Sequence, residues 1–267
     1  MNRVNIKHFF GWLEKLFSRI SESETGRGFQ KRFPATSKFI AHRTDLYHFR
    51  GLTLTWLITG CIFNAFVVSE IAEEIIATGF FGVWDQKIAL YFYQHRNPIL
   101  SEYFYRFTQT GSAQFVVFIL MLMFILAIFA KRYHAIVALL VSVSCSAFTA
   151  GFGKYFYQVP RPHELAYYQE TNYSFPSGHA TIAMAFYAFI TYLLIMHSKR
   201  RLMGIFWFIT GSIFIFLLAF SRIYLGVHYL SDVIGGLLIG MIWCFLSITL
   251  LAWLDYRKDH RLKSPLQ

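Results

Sequence analysis

The chain has 267 residues, 56% of them hydrophobic and only 15% charged, with a mean hydropathy of +0.44. Soluble domains carry about 25% charged residues, so the composition leaves a membrane protein or one very large soluble core, and segment length decides between them. The formal net charge of +11 fits Lys and Arg gathered in cytoplasmic loops and beside anionic headgroups, not a nucleic-acid partner.

Residues 1–50 read as a basic cytoplasmic leader. Within it Phe9, Phe10, Trp12, Leu13, Leu16, Phe17 and Ile20 recur at helical spacing, with Glu14, Lys15 and Arg19 on the other face. That pattern predicts an amphipathic helix lying on a membrane surface. The Ser-, Gly- and Pro-containing stretch 21–37 reads as a loop. The first long apolar run starts near Gly51, too far along for a cleavable signal peptide, and predicts a span retained as an anchor.

Six stretches then approach or reach the roughly 20 apolar residues needed to cross a bilayer. They fall at about Leu52–Ser69, Gln114–Ala130, Ala135–Phe152, Ala180–Met196, Leu202–Phe220 and Val233–Leu254. Between the first two, residues 70–112 mix Trp84, Tyr91, Phe92, Tyr93, Tyr103, Phe104 and Tyr105 with charges such as Asp85, Lys87 and Arg96. Trp and Tyr favour the membrane–water boundary, which predicts one or two interfacial helices. The expected fold class is therefore all-α, an integral membrane bundle of six transmembrane helices with interfacial helices. It divides into the leader 1–50, a six-span domain 51–255 and a tail 256–267.

With this layout, Lys and Arg number 19 on the side of the two termini and 6 on the other, accounting for all 25. The excess places both termini in the cytoplasm. Cys61, Cys145 and Cys244 lie in apolar stretches without a C-x-x-C pair, and indicate neither a disulfide framework nor a zinc site.

Polar residues gather on the outer side in two loops. One holds Lys154, Arg161-Pro162 and Pro176-Ser177-Gly178-His179, and the other holds Ser221-Arg222, His228 and Asp232. Ionisable groups at helix ends in a membrane are costly and usually serve function. Two Arg forks and a Lys suit phosphate oxygens. Ser177-Gly178-His179 precedes a long helix, whose free N–H groups and positive dipole end favour an anion; Ser177 is also a candidate N-cap. His228 and Asp232, four apart, fall on one face of a helix, where a carboxylate can hold one imidazole nitrogen and leave the other free to attack.

The three pieces, Lys-x6-Arg-Pro over 154–162, Pro-Ser-Gly-His over 176–179 and Ser-Arg-x5-His-x3-Asp over 221–232, resemble the motifs of the type 2 phosphatidic acid phosphatase (PAP2) family, the lipid phosphate phosphatases. All three match in order, within about Leu52–Leu254; the leader lies outside the resemblance. The resemblance implies that His228 is the nucleophile forming a phosphohistidine, with Asp232 orienting it. It implies that His179 is the general acid and then the base. Lys154, Arg161 and Arg222 would clamp the phosphoryl oxygens, helped by Ser177 and the Gly178 amide. Three cations can replace a divalent metal in neutralising charge, and no carboxylate cluster offers a hard-cation site, so neither metal nor cofactor is expected.

The expected partners are a lipid phosphate and the bilayer, with no nucleic acid, and the expected setting is a bacterial plasma membrane with the site facing outward. Undecaprenyl diphosphate leads the substrates, followed by phosphatidylglycerophosphate and phosphatidic acid. A phosphotransferase would use the same residues. A transporter or inactive scaffold would be expected to show decayed motifs, and a vanadate haloperoxidase a soluble chain.

Overall fold

The computed structural model describes residues 28, 31–34, 52–76, 79–130 and 133–263. The predicted leader helix and residues 264–267 of the tail lie outside them. Within the stretch expected to be a loop, Gly28, Lys31, Arg32 and Pro34 take helical backbone; Lys and Arg are good helix formers, and their charge alone does not break a helix. The chain divides into two units, Met1–Cys61 and Ile62–Gln267, and everything described below lies in the second, apart from the start of its first helix.

The described elements are helical: α1 Leu52–Ile76, α2 Phe80–Gln94, α3 Pro98–Thr108, α4 Ala113–Ala130, α5 Tyr133–Tyr157, α6 Gly178–His197, α7 Arg201–Tyr224 and α8 Leu230–Lys263. Among the described residues, α4, α5, α6, α7 and the Leu230–Asp255 part of α8 are long and apolar enough to cross a membrane. These five coincide with the second to sixth predicted spans. The predicted first span is helical as part of α1 but is not among the five; α1 carries Asn64, Glu70, Glu73 and Glu74 in its later half. The predicted interfacial region holds two helices, α2 and α3. Asn97 begins α3 by accepting the Leu100 N–H at 3.1 Å, with Pro98 in its first turn, an arrangement that satisfies one orphan donor where proline sacrifices none.

Packing follows from where large and small residues fall. Val116 and Leu120 of α4, Ile136, Leu139 and Val143 of α5, Phe186 and Phe189 of α6, and Cys244 and Leu251 of α8 form the largest buried cluster. Phe129 and Phe148 instead stand 81% and 75% exposed, an outward apolar surface that a bilayer would cover. On α8, Gly236 and Gly240 press against α6. A Cβ would lie 2.5 Å from the Ser177 carbonyl oxygen at the first and 2.4 Å from that of Thr181 at the second. Small residues allow such backbone contact between membrane helices.

α6 is interrupted by one π-helical turn at Ala183–Tyr187, and Ser142 of α5 donates to the Ala185 carbonyl there at 2.9 Å. A π-turn leaves carbonyls without their usual partner, and the neighbouring helix supplies one.

Candidate active site

The site sits where α5 and α7 end and α6 and α8 begin. The sequence predicts loops for Lys154 and Arg222; both belong instead to the last turns of helices, α5 and α7. The helices run further than their apolar stretches because backbone hydrogen bonds continue past the first charged side chain. Arg161 lies in the connection after α5, and Ser177, Gly178 and His179 open α6. His228 was expected on the last helix together with Asp232, but it precedes Leu230, where α8 starts.

The turn between α7 and α8 explains the spacing of Arg222 and His228. Gly226 has φ of 67°, the left-handed region that glycine enters without strain. A Cβ there would lie 2.4 Å from the Leu165 carbonyl oxygen. The chain folds back so that the His228 N–H reaches the Arg222 carbonyl at 3.3 Å. Arg96, between α2 and α3, donates to the same Leu165 oxygen at 2.8 Å and so steadies the turn.

Asp232 is in the first turn of α8 and reaches back to the Tyr229 N–H at 2.8 Å, one half of a capping box. The same oxygen, Oδ2, accepts from the Ser174 hydroxyl and lies 3.3 Å from His228 Nδ1. Ser231, also at the head of α8, turns to a residue distant in sequence: Asp85 of α2 accepts from the Ser231 N–H at 3.0 Å and from its hydroxyl. Burial raises the Asp85 carboxyl, and these bonds to Ser231 partly counter that.

His228 is buried to 1% exposure. Its Nε2 lies 3.1 Å from Arg161 Nη1. Arginine has no acceptor to offer, so Nε2 presents its lone pair and the ring proton sits on Nδ1, towards Asp232. Burial first, then the charges of Arg161, Arg222, Lys154 and His179, hold this imidazole well below its ordinary pKa. A neutral ring with Nε2 unprotonated is the form a nucleophile needs.

The three cations converge on the segment between Arg161 and Ser177. Lys154 Nζ donates to the Tyr173 and Ser174 carbonyls. Arg161 donates to the carbonyls of Asn172, Tyr173 and Val227. Arg222, with 0% exposure, donates to Thr108 at 3.2 Å and to the Tyr168 hydroxyl. Both arginines also hold Glu170: Arg161 Nη2 at 2.7 Å from Oε2, and Arg222 Nη2 on Oε1. Burial would raise the Glu170 carboxyl, but Arg222 and Arg161 outweigh it and keep it below its usual value.

Ser177 stands at the N-cap position of α6 but makes no cap bond. Its N–H donates to the Asp232 carbonyl at 2.9 Å, and its buried hydroxyl has no partner. Beside it Gly178 faces open space, with no atom within 4 Å of a would-be Cβ. A free hydroxyl and free helix N–H groups suit an anion. Among the described residues no group of three or more His, Cys, Asp or Glu is placed to hold a metal ion, and the three cysteines are free.

The structure thus gathers Lys154, Arg161, Ser177, Gly178, His179, Arg222, His228 and Asp232 at one end of the bundle. Glu170, Tyr168, Ser174 and Thr108 lie outside the three motifs, and in the sequence Asp85 is one of the charges of the interfacial region. The one available signal for Glu170 was an acidic residue between two basic motifs.

These features describe a helical protein with five helices, among the described residues, long and apolar enough to cross a membrane, and with three cations gathered near a buried histidine that faces Asp232. Residues 135–256, which contain every one of those eight, match the PAP2 superfamily. Phosphatidylglycerophosphatase B of Bacillus subtilis (strain 168) is 30% identical over 156 residues, spanning 57% of this chain and 75% of that protein. An undecaprenyl-diphosphatase of Sulfolobus acidocaldarius is 40% identical over 78 residues, 29% of this chain and 34% of that one. A crystal structure of a transmembrane PAP2-type phosphatidylglycerolphosphate phosphatase from Bacillus subtilis superposes with a TM-score of 0.66 at 24% identity, covering 74% of this chain and 96% of that chain; this likeness is one of fold. The chain belongs to the PAP2 superfamily.

Proposed function

We propose that this protein is a membrane lipid phosphatase that works through a phosphohistidine. His228 Nε2 attacks phosphorus while Asp232 steadies the Nδ1 proton. The bond from phosphorus to the leaving oxygen breaks, and His179 gives that oxygen a proton. His179 then takes a proton from water, whose oxygen attacks the phosphohistidine and releases inorganic phosphate. Lys154, Arg161 and Arg222 neutralise the phosphoryl oxygens throughout, assisted by the Ser177 hydroxyl and the Gly178 amide, and no metal takes part.

The substrate is a lipid phosphate monoester or diphosphate. The names of the relatives make undecaprenyl diphosphate and phosphatidylglycerophosphate the first two to test, with phosphatidic acid the third. The same reading has six spans, counting the first part of α1. It places the termini in the cytoplasm and the site on the outer face of a bacterial plasma membrane, and makes 51–255 the phosphatase domain between the leader and the tail.

The observation that carries the proposal is the contact of Arg161 Nη1 with His228 Nε2 at 3.1 Å, which sets a phosphate ligand beside a nucleophile. Rapid quenching during turnover of lipid labelled in the transferred phosphate tests it. An acid-labile, base-stable label on the protein, lost in His228→Ala, is expected. Turnover in the variant at the wild-type rate would overturn the assignment.

A further inference from the structure

Glu170 is an acidic side chain in a site otherwise built to attract anions. It belongs to the connection between α5 and α6, outside all three motifs. Its two oxygens each take one arginine: Oε2 lies 2.7 Å from Arg161 Nη2, and Oε1 accepts from Arg222 Nη2. The Tyr168 hydroxyl is 3.4 Å from Oε1 and itself accepts from Arg222 Nη1. A carboxylate and a phosphate offer guanidinium forks the same pair of oxygens. Arg161 meanwhile touches His228 Nε2. The seat beside the nucleophile is therefore held by the chain's own anion.

Any incoming phosphate must exchange with that carboxylate, and the exchange depends on charge. A phosphodiester, the headgroup linkage of ordinary bilayer lipids, carries one negative charge. Swapping one monoanion for another gains little Coulomb energy and leaves a displaced carboxylate close by. A phosphate monoester carries about −1.5 to −2 at pH 7, and a diphosphate ester carries more, so each gains roughly twice the attraction from the same cations.

We propose that Glu170 determines specificity by competing for the Arg161–Arg222 seat, admitting phosphate monoesters and diphosphates while refusing the phosphodiester lipids that surround the protein. This rests on the phosphatase reading and adds to it the means by which the site stays free of bulk lipid. Tyr168, bonded to both partners, fixes the carboxylate's position.

The test uses the full chain in detergent and two probes: tungstate, a tetrahedral dianion, and a short-chain phosphatidylglycerol, a monoanionic diester. Calorimetry gives a Kd for each with wild type, Glu170→Gln and Glu170→Asp. The wild type should bind tungstate and scarcely bind the diester. Glu170→Gln should tighten both and reduce the ratio of diester to tungstate Kd about tenfold, equivalent to about 1.4 kcal/mol. Glu170→Asp, which keeps the charge on a shorter arm, should give an intermediate ratio, and it decides the matter if the Gln variant fails to fold. An unchanged ratio in the variants that fold, or weaker binding of both probes, would overturn the proposal and leave Glu170 as a brace for the arginines. Calorimetry needs no turnover. A protein that shows this selectivity but releases phosphate from no lipid would overturn the phosphatase reading alone.

Discussion

Arg161 and His228 meet at 3.1 Å between Nη1 and Nε2, while the other ring nitrogen faces Asp232 at 3.3 Å. One edge of the imidazole is thereby assigned to the proton and the other to chemistry. The phosphoenzyme should be the Nε2 isomer of phosphohistidine. Isomer-specific antibodies or phosphorus NMR on the trapped intermediate will read this, and an Nδ1 isomer would contradict it.

Acid should inactivate the enzyme through the same ring. Burial and three neighbouring cations lower the His228 pKa below its ordinary 6.5. The folded state thus sheds a proton that the unfolded chain binds below that pH. As pH falls, both the nucleophile and the stability of the fold are lost, whereas raising the pH above 6.5 costs neither through this group. The acid limb of kcat/KM is expected below pH 6.5; a limb well above it, traced to His228 by substitution, would refute the assignment.

Ser174 should prove a positioning residue. Its hydroxyl donates to Asp232 Oδ2 and lies 3.4 Å from His228 Nδ1. Ser174→Ala leaves a buried carboxylate short of one donor, a loss of about 1–3 kcal/mol. Steady-state kinetics should show kcat reduced roughly 5- to 150-fold with KM little changed, and a rise in KM alone would argue against this role.

Asp85 ties α2 to α8 by accepting from Ser231 at the head of α8. Removing a cap costs about 0.5–2 kcal/mol. Asp85→Ala should lower the Tm in detergent and reduce turnover together, because His228 and Asp232 flank the capped turn. Asp85→Asn, which keeps one acceptor oxygen, should recover part of both. Equal Tm values for all three proteins would show that Ser231 finds other partners.

Much of this was legible in the sequence because membrane crossing is a matter of apolar length, and five of the six expected spans appear as helices long and apolar enough to cross a membrane, with the first helical within α1. Their ends were not legible. A hydropathy reading stops at the first charge, while the helices carry Lys154 and Arg222 in their final turns and aim them at the site. The motif residues could be gathered on one side from span order alone. The partners that orient them could not, because Glu170, Tyr168 and Ser174 lie on an irregular connection whose path depends on tertiary contacts. Asp85 read as one more interfacial charge, since nothing in its neighbourhood signals that Ser231, far along the chain, needs it.

Phosphate release by the purified protein in EDTA is the most direct test of the central claim. The panel is undecaprenyl diphosphate, undecaprenyl phosphate, phosphatidylglycerophosphate, phosphatidic acid and lipid A, with His228→Ala as the control. Release from at least one lipid, unaffected by the chelator and lost in the control, is the predicted result and would name the substrate. Release that requires added Mg²⁺, or that persists in His228→Ala, would contradict a metal-free phosphohistidine mechanism.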